Sequence, residues 1–219
     1  MLLKICGLTT VEDAVHAARA GATVLGVIFA PKSPRCISVE RAREIVDAVP
    51  GDVPVAGVFV DAALDAIEDA VARSGIRMVQ LHGDEPESLA ASLPWPVLRA
   101  SGVDSVLDGG LDGGFDEAVS RGWPDATLLL DAVSGEQRGG TGVRVDWARA
   151  AAVARRRNVV LAGGLTPENV AAAIAAVRPF GVDVSSGVER AVGRKDHGKV
   201  ALFLQHAREA LLRIQQVSR

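Results

Sequence analysis

The sequence predicts an α/β protein, a (β/α)8 TIM barrel spanning residues 1–219 as a single domain. Three observations predict it. Short runs rich in Val, Leu and Ile return eight times, the pattern of strands buried on both faces of a parallel sheet. Amphipathic stretches rich in Ala and Arg lie between them, which implies βαβ units. The length of 219 residues leaves roughly 25 residues for each of eight units, and such barrels begin at about 200 residues. A doubly wound open sheet is the structural rival, but it shows fewer strands at this length.

The elements follow in order. A strand at 2–6 leads to a helix at 11–20, which Thr10 is placed to cap, with Asp13 three residues on. Strands at 24–29, 53–60 and 78–81 alternate with helices at 39–49, 64–73 and 86–93, and a fifth strand covers 97–100. The fifth unit then breaks the pattern. Residues 105–117 read SVLDGGLDGGFDE, and each glycine opposes a helix by about 1 kcal/mol relative to Ala, so a long loop and a short helix at 115–121 are expected. The sixth strand, 127–130, opens a long loop at 132–144 before a helix at 147–156. A seventh strand at 159–162 precedes a helix at 167–177, with Thr166 and Pro167 as its start signal. The last strand, 182–184, is followed by a short helical turn and a closing helix at 197–215.

Composition narrows the function. Hydrophobic residues make up 48% and charged residues 23%, as in an ordinary soluble domain. A net charge of −3 argues against a nucleic-acid or anionic-membrane surface, but not against a small anion held by backbone N–H groups. Two cysteines, Cys6 and Cys36, fit neither a zinc site nor a disulfide scaffold and suit a reducing compartment. No secretory h-region and no membrane-length apolar run is present, so a cytoplasmic protein is expected. Neither a metal nor a cofactor is expected, and the expected partner is a small phosphorylated substrate.

In such a barrel the reactive face lies at the C-terminal ends of the strands. The polar residues there include Lys4, Cys6, Asp61, His82, Asp131 and Asp183. Lys4 and Cys6 are two apart on a strand and share a side. A lone cysteine is more often a small buried hydrophobe. A neighbouring ammonium, however, lowers a thiol pKa, and the thiolate could then draw a proton from carbon. Asp131 could merely cap its loop, or it could face Cys6 as a general acid. A thiol and a carboxyl held in opposite protonation states suit isomerisation.

Gly163 and Gly164 follow one strand and precede a helix, and Ser185 and Ser186 follow the next strand. Small residues let backbone N–H groups close around a phosphate, and these are the usual barrel positions for one. Gly142 in the preceding long loop could complete the cradle. The segment FAPKSPRCIS (29–38) places Arg35 among prolines, either as a solvated turn or as a cationic arm that grips a carboxylate bidentately.

Together, KICGLTT (4–10), GVIFAPKSPRCIS (26–38), VAGVFVD (55–61), VQLHGDEP (79–86), LLLDA (128–132), GGTGVRVDW (139–147), LAGGLTPENV (161–170), GVDVSSGVER (181–190) and GRKDHGKV (193–200) resemble the phosphoribosylanthranilate isomerases of tryptophan biosynthesis. The resemblance implies an Amadori rearrangement of N-(5′-phosphoribosyl)anthranilate to the 1-deoxyribulose phosphate. It implies Asp131 as general acid on the ring oxygen and Cys6 as general base at C2′. It also implies Arg35 on the anthranilate carboxylate, His82 and Asp183 near the sugar or the anthranilate nitrogen, and phosphate at Gly142, Gly163–Gly164 and Ser185–Ser186. The chain has no tyrosine, so apolar cover over the anthranilate ring must come from other side chains. The rivals are another phosphate-binding barrel isomerase or lyase and a non-catalytic metabolite-binding barrel. A metal-dependent epimerase would need several histidines at strand ends, where His82 alone stands. A monomer or a homodimer is expected.

Overall fold

The structure is a computed structural model that describes residues 1–103, 106, 126–131, 133–134, 137–138 and 145–217. The expected loop and helix of the fifth unit, and Gly142 with its neighbouring glycines, lie outside the described residues. The eight barrel strands are β1 (Leu2–Ile5), β2 (Val24–Ile28), β3 (Val55–Phe59), β4 (Met78–Leu81), β5 (Val97–Gly102), β6 (Ala126–Asp131), β9 (Val159–Leu161) and β10 (Gly181–Val184). Two small hairpins supply the rest: β7 (Val133–Ser134) with β8 (Gln137–Arg138), and β11 (Glu189–Ala191) with β12 (Arg194–Lys195). Among the described residues the helices are α1 (Val11–Arg19), α2 (Val39–Ala48), α3 (Leu64–Ser74), α4 (Glu87–Ser92), α5 (Trp147–Ala154), α6 (Val170–Val177) and α7 (His197–Val217).

All eight long pairings are parallel and the sheet closes on itself in the order β1-β10-β9-β6-β5-β4-β3-β2. First and last strands therefore pair directly, Lys4 beside Asp183. Side chains alternate across each strand. One set, with Leu2, Val24, Ala56, Leu98, Leu129 and Val160, fills the barrel interior. The other set, with Leu3, Ile5, Leu25, Val27 and Leu161, packs outward against helix faces such as Ala14 and Ala17 of α1 or Ile67 and Val71 of α3.

Local signals explain several boundaries. Thr10 caps α1 by accepting from the Asp13 N–H, as the spacing predicts. Asp146 does the same for α5 through the N–H groups of Ala148 and Arg149. Gly75 ends α3 in the left-handed conformation that residues with a Cβ avoid. The start signal at Thr166–Pro167 is overturned: α6 begins at Val170. The intervening turn is held instead by Asn169, whose Oδ1 accepts from the Thr166 N–H at 2.8 Å and whose Nδ2 donates to the Gly164 carbonyl at 2.9 Å. The short helical turn expected after the last strand is present as the 3₁₀ turn Ser186–Val188. Among the described residues no helix is long and apolar enough to cross a membrane.

Candidate active site

A parallel barrel delivers the last residue of every strand to one rim. Leu3 and Ile5 face the helices, so Leu2, Lys4 and Cys6 face inward toward that rim. Lys4 is fully buried, and its Nζ donates to Asp183 Oδ2 at 3.1 Å. Burial opposes its charge, but the Asp183 carboxylate, and Cys6 whenever it is ionised, act against burial and raise its pKa, so Lys4 is an ammonium paired with Asp183. Cys6 lies one residue beyond β1, with its N–H still bonded to the Val184 carbonyl at 2.8 Å. Its sulfur occupies space that Gly26 leaves open, since a Cβ there would sit 2.8 Å from Sγ.

The thiol corrects an expectation. Lys4 pulls the Cys6 pKa down, but burial pushes it up more strongly and the net direction is up. The ammonium is shared with Asp183, whose own negative charge also opposes a thiolate. In the resting site Cys6 is therefore a thiol.

Asp131 ends β6 and pairs in register with Gly102, on the inward-facing set that includes Leu129. It is 9% exposed, with Oδ2 3.7 Å from His82 Nε2. That is too long for a direct hydrogen bond. His82 Nδ1 lies 3.0 Å from Gln80 Nε2. Cys6 and Asp131 thus share one rim, on strands three steps apart around the ring. Asp61 plays a local part: it adopts a φ of 51°, its N–H donates to Glu85, and its carboxylate accepts from the Asp84 N–H.

The two small-residue loops meet. Gly163 and Gly164 follow β9 with φ of 75° and 63°, a pair of left-handed residues that favours glycine at both positions. Ser185 follows β10 and opens the 3₁₀ turn, within which a Cβ on Gly187 would lie 1.9 Å from the Leu165 carbonyl oxygen. Backbone is a poor partner for such a clash, so Gly187→Ala should destabilise the protein by about 2 kcal/mol. Thermal unfolding checks this, and an unchanged Tm would mean that the loops are not pressed together. Ser185 Oγ, Asp183 Oδ1 and Gln80 Oε1 are buried with no hydrogen-bond partner among the described residues.

Arg35 differs from its expected open fork. Its Nε and Nη2 each donate to Glu189 at 2.7 Å, so the Nε–Nη2 edge is taken and the end of the guanidinium at Nη1 is what remains. A guanidinium this buried needs a counter-charge of its own. Glu189 strengthens the charge of Arg35 by hydrogen bonding, against burial. Sequence reasoning missed Glu189, and it also missed the fully buried Lys195, which donates to Glu189 Oε1 at 3.0 Å. Both lie within motifs just after the last strand, but nothing in their spacing marks them as buried.

Comparison with known proteins identifies the family. The family model described as N-(5′-phosphoribosyl)anthranilate (PRA) isomerase matches residues 3–206. An N-(5′-phosphoribosyl)anthranilate isomerase from Geotalea daltonii is 45% identical over 209 residues, covering 95% of this chain and 97% of that relative. The crystal structure of phosphoribosyl anthranilate isomerase from Thermotoga maritima superimposes with a TM-score of 0.83 at 38% identity, covering 95% of this chain and 99% of that one. A further structure of such an isomerase, in complex with reduced 1-(o-carboxyphenylamino)-1-deoxyribulose 5-phosphate, has a TM-score of 0.80 at 38% identity and covers 95% and 100%. The barrel, the motifs in their order and matches over nearly the full length converge: the chain belongs to the N-(5′-phosphoribosyl)anthranilate isomerase family.

Proposed function

We propose that the chain carries out the reaction its family is named for, isomerising N-(5′-phosphoribosyl)anthranilate in tryptophan biosynthesis, with Cys6 as general base and Asp131 as general acid. The observation that carries this reading is the inward placement of both groups on one rim, beside two loops that touch each other. Asp131, protonated when substrate enters, gives its proton to the furanose ring oxygen. The C1′–O bond breaks as the nitrogen lone pair forms a Schiff base. Cys6, having given up its thiol proton to solvent before the step, takes the proton from C2′ as a thiolate, and that electron pair forms the C1′–C2′ double bond while the C=N pair returns to nitrogen. The enolamine takes up a proton at C1′ and releases the one on its C2′ hydroxyl to give the ketone. Acid–base groups poised in this way contribute about 10²–10⁴-fold each.

Charge supports the reading. Among the described residues, the ion pairs near Cys6 join the cations Lys4, Arg35 and Lys195 to the carboxylates Asp183 and Glu189, three positive groups to two negative ones. A thiolate or an anionic substrate balances the third cation. In this proposal Lys4 steadies the thiolate, and the phosphate lies at Gly163–Gly164 and Ser185–Ser186, with Gly142 as a further contact. His82 and Asp183 face the sugar and the anthranilate nitrogen. The unpartnered oxygens of Asp183 and Gln80 can accept from donors that a hydroxyl-rich ligand brings.

The substrate is small and phosphorylated, and the enzyme works in the cytoplasm as one barrel domain. It acts as a monomer or homodimer; the isomerase of Thermotoga maritima is described as dimeric. The test is a fluorescence assay with freshly formed phosphoribosylanthranilate, and no turnover by the native chain would overturn the reading. Arg35, through its Nη1 side, is assigned to the anthranilate carboxylate. Arg35→Ala should raise KM by about 10-fold or more, the loss of one charge-assisted hydrogen bond. An analogue without the carboxylate should be affected far less. Equal loss with both compounds would remove Arg35 from this role.

A further inference from the structure

Lys195 is the least expected group near the site. Its side chain is fully buried on the β11–β12 hairpin, outside the barrel strands that carry the acid and base. Its ammonium makes two bonds, to the Ser185 carbonyl at 3.0 Å and to Glu189 Oε1 at 3.0 Å. Glu189, its side chain 6% exposed, accepts Arg35 through two further bonds of 2.7 Å and the Gly193 N–H at 3.3 Å. The Lys195 N–H is in turn anchored to Asp13 Oδ2 of α1 at 3.1 Å. A Cβ on Gly7 would lie 2.7 Å from both Arg35 Cδ and Ser185 Oγ, so these two arms are neighbours as well as bonded to one cluster.

Burying an ion pair rarely improves stability over apolar residues of the same volume. Its value here is geometric. Resting on the function proposed above, we propose that Glu189 and Lys195 are positioning residues, a buried ion pair that fixes the carboxylate-binding arm at Arg35 and the phosphate-side loop at Ser185 as one unit. The hairpin presets the distance between the two anion sites, so a ligand with a carboxylate at one end and a phosphate at the other meets both arms already in place. Preorganisation of this kind strengthens binding by removing the ordering cost.

The test measures binding of inorganic phosphate and of anthranilate separately by calorimetry, alongside KM and kcat for phosphoribosylanthranilate. Lys195→Met should weaken both ligands by roughly 10-fold or more, with KM rising more than kcat falls. Glu189→Gln should weaken anthranilate by a similar factor and phosphate less, since it touches Arg35 directly and Ser185 only through Lys195. Lys195→Arg, which keeps the charge, should restore much of the phosphate affinity. Arg35→Ala should affect anthranilate alone. If Lys195→Met and Glu189→Gln leave both affinities within about twofold of the native chain while Tm falls, the pair is merely structural and the inference fails. If Lys195→Met does not fold, Glu189→Gln decides alone, and unchanged anthranilate binding overturns the proposal. The calorimetric arms stand apart from turnover, so a native chain that binds both ligands without converting the substrate sinks the proposed reaction and not this coupling.

Discussion

Replacing Cys6 by alanine should lower turnover by about 10²–10⁴-fold while leaving the fold intact. The barrel loses one buried sulfur from a space bounded by Gly26 and Lys4, a small change against the full interior set. The chemistry loses its only proposed proton acceptor at C2′. Substrate affinity should change little, because Cys6 holds none of the anionic groups. The fluorescence assay would therefore show a drop in kcat at nearly constant KM. A pH profile sharpens the expectation. Burial raises the thiol pKa, and a base acts only when deprotonated, so native activity should climb as pH rises through the pKa of Cys6. Any residual activity of Cys6→Ala should lack that limb. Near-native turnover in Cys6→Ala would end the general-base assignment.

Asp131→Asn should bring a loss of the same order, about 10²–10⁴-fold, for a different reason. The amide keeps the size of the carboxyl at the end of β6 but has no proton to give the ring oxygen, so the first step stalls. Its near neighbour His82, 3.7 Å away, should not rescue it, because the ring oxygen needs the donor at the position of Asp131. Acid and base serve successive steps of one reaction, so the double variant Cys6→Ala/Asp131→Asn should be much less impaired than the product of the two single losses. Strict multiplication of the two effects, measured as kcat/KM, would show that the groups act independently and would argue against a shared proton-transfer sequence.

The barrel was legible because its strands are apolar on both faces and its helices have one apolar stripe, a contrast that survives without any partner information. The inward pairing of Lys4 and Cys6 was legible from alternation alone. Boundaries were less so: the chain does turn at Thr166, whose carbonyl accepts the Asn169 and Val170 N–H groups, but the helix proper begins only at Val170. The protonation of Cys6 could not be read from the spacing to Lys4, since burial decides it and the ammonium is shared with Asp183, 179 residues from Lys4. Glu189 and Lys195 escaped for a similar reason. Charged residues in a short segment after the last strand look solvated until the hairpin folds them under the Ser185 turn.

The pairing of β1 with β10 makes Lys4 depend on a carboxylate encoded almost at the other end of the gene product. A chain cut before its final strand would lack both the counter-charge of Lys4 and the Ser185 turn. Such a fragment should show no turnover in the fluorescence assay, even where the rest of the sheet has formed.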